Sequence, residues 1–417
     1  MPSSFFSGPA DSKAPNFHPV VTSKTAPGEL FTKLEPKDLE WNCAKGSVTE
    51  TQNWYNFLED GTLIWFQVIH SGIGLWYPQI KLTCRIFHPK TRDTTWKSIN
   101  ITNFVTPPTG KDRRSSKSDQ FTITHGPGTG GFAEQYLINA NLDNDLQLAL
   151  TISRPATADG FKVGRGESFF GTDVNKPEGF VINRFWPRTN CAGDLIKSGQ
   201  AIKVQGVGVF VHTIQGMRPN RVAARWNFAN FQSHDEEVSA IQMEFTTIQA
   251  YGREGVGSGG VSVNVGGVVV GGKLVAVTGE TVWPGEVPVP DAPVQSRVAH
   301  LGCVHDPETG YKQPSQIRYT WQAPSIGDAV LVKAELIVDV GTPSAPKGLV
   351  AKIDVLSEIP AALKRVVKYV TNTRPYIYQW MNPSTLSVIG PESLIPGGCK
   401  AVDGTLYSQA SFLSESD

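Results

Sequence analysis

The chain is poor in the features that announce chemistry. Its 417 residues hold five cysteines, Cys43, Cys84, Cys191, Cys303 and Cys399, odd in number and far apart. No CxxC pair or Cys/His cluster occurs, which leaves structural zinc and a disulfide framework without support. Scattered thiols suit a reducing compartment. Eight dispersed histidines form no HxH or HExxH pattern, so no metal is expected. Charge is missing too: 38 Lys+Arg balance 38 Asp+Glu, leaving no field to gather nucleic acid or an anionic membrane. No run approaches the roughly 20 apolar residues of a spanning helix. The opening MPSSFFSGPADSKAP has neither the basic start nor the apolar core of a signal peptide. The expected setting is the cytoplasm.

Catalytic signatures are equally absent. There is no GxSxG elbow. Ser344-Ala345-Pro346-Lys347 matches SxxK, but the prolines around it read as a loop. Gly255-Val256-Gly257-Ser258-Gly259-Gly260 looks like a phosphate loop, yet VSVNVGGVVVGG follows where a helix is needed. A glycine-turned β-hairpin is the expectation there. The basic run Lys111, Arg113, Arg114, Lys117 reads as a solvated loop. No cofactor and no enzymatic reaction are expected.

What is present is β grammar. With 41 glycines and 29 prolines the chain is punctuated into short elements. Thr62–Ile69 is a buried strand entered through an Asp60-Gly61 turn. In Gln79–Phe87, Ile80, Leu82, Cys84 and Ile86 share one face; Leu146, Leu148, Leu150 and Ile152 repeat the device. The second half continues alike, from 222–231 to the terminal 405–413. The expected fold is all-β: a flexible segment 1–46, a barrel over 47–215 and a second over 216–417. Glu358–Thr371 is the exception, an amphipathic helix with Ile359, Leu363, Val366, Val367 and Val370 on one face.

Candidate contacts with a ligand follow from this layout. His70 and His212 each end a strongly apolar segment; each is either a satisfied structural histidine or a contact in a barrel mouth. Glu244 lies opposite Ile241, Met243 and Phe245, on a face that is either wet or luminal. Gln215–Ser233 joins the halves, with Arg225 and Asn227 on one strand face and Trp226 and Phe228 on the other. Trp76 belongs to an aromatic crowd at 54–77 that suits either a core or a pocket wall.

Several collinear motifs resemble the fungal survival factor 1 family. They are Glu50-Thr51-Gln52-Asn53-Trp54-Tyr55, Gln67-Val68-Ile69-His70-Ser71, Phe185-Trp186-Pro187-Arg188, and Gln215-Gly216-Met217-Arg218-Pro219 with Ala223 through Phe228. Lys352 through Pro360 and Arg374-Pro375-Tyr376-Ile377-Tyr378-Gln379-Trp380 follow. The resemblance covers about 40–415 and implies two tandem lipocalin-like β-barrels without established catalytic residues. It implies a protein of the cytosol and of endomembrane surfaces. It also implies transport of ceramide from endoplasmic reticulum to Golgi and a part in surviving oxidative stress. Members begin with a membrane-binding helix; Pro2, Pro9 and Pro15 interrupt the corresponding stretch here, so none is expected. The candidate ligand residues are His70, Trp76, Trp186, Arg188, His212, Arg225, Trp226, Asn227, Glu244 and Tyr378. Related lipocalin-like folds also host enzymes that cyclise or hydrate polyenes, the alternative reading.

Overall fold

The structure is a computed structural model that describes residues 15–72, 78–252, 260–355 and 375–413. Two antiparallel sheets account for nearly all of it. The first runs in the spatial order Thr94–Asn100, Gln79–Phe87, Leu63–Ser71, Thr49–Leu58, Gln200–Gln215, Gly179–Lys197, Leu146–Pro155, Phe132–Asp143, Phe121–Pro127 and Ser116–Lys117. The second runs Lys273–Val282, Ser262–Val270, Ser239–Thr246, Arg225–Gln232, Cys399–Phe412, Tyr376–Ile389, Leu331–Asp339, Gln316–Pro324 and Gln295–Leu301. Its end strands meet through side chains: the Ser296 amide donates to Glu280 Oε2 at 3.0 Å.

Hairpins set the register where the sequence places turn residues. Gly61, at φ 89°, supplies the left-handed residue between Thr49–Leu58 and Leu63–Ser71. Gly271 and Gly272, both at positive φ, turn Ser262–Val270 into Lys273–Val282, as the glycine-hairpin reading requires. The expected helix over 358–371 lies outside the described residues. Among the described residues the α-helical content is the single turn Pro219–Val222, with 3-10 turns at Pro27–Glu29 and Pro36–Leu39.

Three packing layers result. One core fills the first barrel, around Trp54, Phe66, Trp186 and Phe210. Another fills the second, around Phe231, Trp321, Trp380 and Leu406. The third lies between the sheets, where the outer rows meet: the Tyr55 ring sits 5.1 Å from Phe228 and 5.2 Å from Tyr407. Strands at this junction, such as Thr49–Leu58 and Leu63–Ser71, therefore bury both faces, which is why TLIWFQVI reads as a continuous apolar run.

Two features depart from the sequence reading. The segment expected to be a flexible lead-in is packed from residue 15 onward. Phe17 and Leu30 are buried, Phe17 pairs with Phe170, and Phe31–Lys33 pairs with Phe161–Val163. Its Pro- and Ser-rich composition hides the buried apolar anchors Phe17, Val21, Leu30, Leu39 and Trp41. The terminal strand expected over 405–413 is longer, Cys399–Phe412, and pairs along its length with the 14-residue strand Tyr376–Ile389. The ladder runs through Pro383, which pairs with Thr405.

Candidate ligand-binding lumen

The inward rows of the first barrel share one polarity. Starting from the turn that joins Leu58 to Leu63, the row on Thr49–Leu58 reads Leu58, Asn56, Trp54, Gln52, Glu50. Its neighbour reads Ile64, Phe66, Val68, His70. The Phe132–Asp143 row reads Leu142, Ala140, Ile138, Tyr136, Glu134, and the Leu146–Pro155 row reads Leu146, Leu148, Leu150, Ile152, Arg154. Antiparallel pairing aligns these rows, and period-2 alternation keeps each on one face. One end of the lumen is thus aliphatic, the middle aromatic and the other end charged.

The aromatic middle is a contiguous cluster. Trp54 lies 5.6 Å from Phe66 and 5.1 Å from Phe210; Tyr136 lies 5.0 Å from Trp186 and 5.2 Å from Phe210. Gly160 lets Trp186 rest against backbone, since a Cβ there would meet Trp186 Cδ1 at 2.9 Å. Toward the charged end, Trp41 packs 5.5 Å from Phe104 and 6.1 Å from His212, and His70 lies 5.9 Å from Phe104.

At the charged end every carboxylate is held. Glu50, fully buried, accepts from His212 Nε2 at 2.9 Å and from the amides of Asn42 and Cys43 at 2.9 and 2.7 Å. Burial alone would raise its carboxyl; the His212 contact and the two amides outweigh burial and hold it below the usual range. Glu134 is lowered in the same way, against burial, by His125 at 2.8 Å and Arg154 at 2.8 Å. Asp38 is lowered, again against burial, chiefly by Lys162 at 2.7 Å. Arg184 Nη1 also donates to the Asp38 carbonyl. Burial pushes the His70 imidazole down, with the Glu50 charge opposing.

Between these pairs and the aliphatic end lie polar atoms with no protein partner. They are the indole nitrogens of Trp41, Trp54 and Trp186, the Tyr136 hydroxyl, Gln52 Oε1, Nδ1 of both His70 and His212 and, nearer the aliphatic end, Asn56 Oδ1. Leaving a buried polar group unpaired costs about 1–3 kcal/mol, so a cluster of them at the head of an apolar lumen has the pattern of a ligand site.

The second barrel is also polar at one end, where its carboxylate sits in a chain of hydrogen-bonded side chains. The Glu244 row faces the lumen, the face that alternation left open. Its carboxylate accepts from Asn227 Nδ2 at 2.9 Å and Asn264 Nδ2 at 3.1 Å. His300 Nε2 donates to Asn227 Oδ1 at 2.9 Å, and Ser296 Oγ to Asn264 Oδ1 at 2.8 Å. Burial, with Arg225 nearby, pushes His300 down to about 3. Tyr378 donates to Asp306 at 2.7 Å. Gln242 Oε1, Trp380 Nε1, the Tyr319 hydroxyl, Ser408 Oγ and Arg225 Nε are left without partners.

The candidate residues therefore divide. His70, Trp186 and His212 converge in the first barrel. Arg225, Asn227, Glu244 and Tyr378 belong to the second. Trp226 packs outside both lumens, 5.2 Å from Phe245. Arg188 also points away, because a bulge between Trp186 and Thr189 turns it across the interface. There its guanidinium donates to the Ser233 carbonyl at 3.0 Å and Ser239 Oγ at 3.1 Å. Trp76 lies outside the described residues. Trp41, Glu50, Gln52, Trp54 and Tyr136 were missed. A signal for most of them was present: several alternating apolar rows end in Glu, His or Arg. A further groove of about 520 Å³, between Val21–Leu30 and Gly279–Val294, is lined by none of these unpartnered atoms.

Two curled antiparallel sheets packed through their outer faces define a tandem lipocalin-like all-β protein. The crystal structure of CghA with Sch210972 superposes with a TM-score of 0.51 at 12% identity, over 98% of this chain and 97% of that one. A profile of the Svf1 family matches residues 3–414, and the chain belongs to that family. Ceramide-binding protein svf1 of Schizosaccharomyces pombe is 29% identical over 99% of this chain and 98% of its own length. That of Aspergillus fumigatus is 29% identical over 92% and 91%. No helix among the described residues is long and apolar enough to cross a membrane.

Proposed function

We propose that this protein binds ceramide, non-enzymatically, in the lumen of its first barrel. The observation that carries the reading is the graded interior of that barrel: aliphatic at one end, and toward the charged end an aromatic cluster whose buried polar atoms have no protein partners. Ceramide has the matching gradient, two alkyl chains joined to an amide and hydroxyls. Its chains would gain about 0.8 kcal/mol per buried CH₂. Its head would supply the partners that the protein does not. The names of the relatives support the same ligand. We extend the reading to transfer of ceramide between endoplasmic reticulum and Golgi membranes, with survival of oxidative stress as its consequence, as the family resemblance implies. The barrels are taken as two domains, about 47–215 and 216–417.

Native mass spectrometry of the full chain after incubation with ceramide-containing vesicles tests this. One retained ceramide per chain is expected; recovery of bare protein alone contradicts it. The competing reading, a cyclase or hydratase acting on an apolar small molecule, is favoured by the hydrogen-bonded Glu244 and the low-basicity His300 of the second barrel. It requires turnover by pure protein that is lost on changing Glu244.

A further inference from the structure

The buried Glu50–His212 pair has a consequence for the free side of the imidazole. Glu50 Oε1 and Oε2 together receive three hydrogen bonds, from His212 Nε2 and the amides of Asn42 and Cys43. An ionised carboxylate only accepts, so it keeps a proton on His212 Nε2. In the neutral ring Nδ1 then carries a bare lone pair, and it is buried without a partner in a side chain that is 0% exposed. Gln52, paired with His212 across the strands, adds a second unpartnered acceptor at Oε1. Two acceptors therefore lie toward the same end as the Trp41 indole donor, next to the aromatic layer that holds the other indole and hydroxyl donors.

We propose that His212 Nδ1 accepts a hydrogen bond from a hydroxyl of the bound head group, with Glu50 as the positioning residue that fixes the tautomer. The inference rests on the lipid reading of the first barrel and sharpens it. The ligand must bring donors as well as acceptors. A lipid of equal chain length whose hydroxyls are capped leaves Nδ1 unpaired and is rejected. The site therefore selects hydroxylated lipid amides over capped or fully esterified lipids.

The test is a cycle between protein and ligand. N-hexanoyl ceramide and its di-O-methyl ether are titrated against the full chain by native mass spectrometry. Wild type is expected to bind the ether about tenfold more weakly, the worth of roughly one hydrogen bond. His212→Phe is expected to lose about tenfold for ceramide and nothing for the ether, bringing the ratio toward one. Glu50→Gln, which keeps the side-chain size and releases the tautomer, is expected to lower the same ratio with an unchanged circular dichroism spectrum. It serves as the readout if His212→Phe does not fold. Equal binding of both lipids by wild type overturns the inference and leaves the lipid reading standing. An equal loss for both lipids in a folded variant does the same. Uptake of neither lipid by wild type overturns the lipid reading itself, and this inference with it.

Discussion

Tyr136→Phe raises the stability of the lipid-free protein and weakens its hold on ceramide. The two effects have opposite signs because the Tyr136 hydroxyl is buried without a protein partner. Removing an unsatisfied hydroxyl relieves about 1–3 kcal/mol of desolvation, while the ring keeps its contacts with Trp54, Trp186 and Phe210. For a domain of this size that raises Tm by about 2–4 °C per kcal/mol. In the lipid-bound protein the hydroxyl has a use, so its loss weakens ceramide binding about tenfold. Thermal melts with and without ceramide measure both: the variant melts higher alone and gains less from lipid. A variant that melts lower alone and binds ceramide normally would mark Tyr136 as an ordinary core residue.

Glu50→Ala is expected to destabilise the first barrel by about 3 kcal/mol or more, since each buried donor left without an acceptor costs about 1–3 kcal/mol. Three donors lose their acceptor at once: His212 Nε2 and the amides of Asn42 and Cys43. Cys43 also sits at φ 49°, a left-handed backbone that a non-glycine residue keeps only when its surroundings hold it, and its amide bond to Glu50 is part of that hold. The pH dependence follows from the sign of the shift. The Glu50 carboxyl is lower in the folded state than its ordinary value of 4.5, so its stabilisation is fully present above that value. It is lost as pH falls through 4.5 toward the lowered folded value. Glu134 and Asp38, also lowered, add acid lability of the same sign. Urea unfolding at pH 7 and pH 4 should show wild type losing more stability on acidification than Glu50→Ala. Equal losses would remove Glu50 from the account.

Much of the fold was readable before any coordinates. Period-2 alternation placed Ile80, Leu82, Cys84 and Ile86 on one face, and they line or edge the first core. It also separated Trp226 and Phe228 from Arg225 and Asn227, and the structure sets the first pair outside the second lumen. Gln295–Leu301 was not legible, because its inward row is Ser296, Val298 and His300 and gives no apolar period. Arg188 was legible as an important residue but not as an interface tie. A bulge moves it off its expected face, and bulges leave little mark in sequence.

The site was legible only in part, for a physical reason. Alternation says which residues share a face; it does not say which ends of neighbouring rows meet. That needs strand order and register. Once Glu50 pairs with His70 and Ile214, and His212 with Gln52, the charged ends of separate rows fall together. His70, Trp186 and His212 came out of the sequence one at a time. The polar atoms around them form a candidate site only once the barrel is assembled.

The central claim is that lipid lies in the first barrel. A ceramide carrying a photoactivatable diazirine in its acyl chain, crosslinked to the full chain and mapped by peptide mass spectrometry, tests it most directly. The account predicts labels on the inward rows of Thr49–Leu58, Leu63–Ser71, Phe132–Asp143 and Leu146–Pro155, competed away by unlabelled ceramide. Competed labels confined to the strands between Arg225 and Phe412 would contradict it.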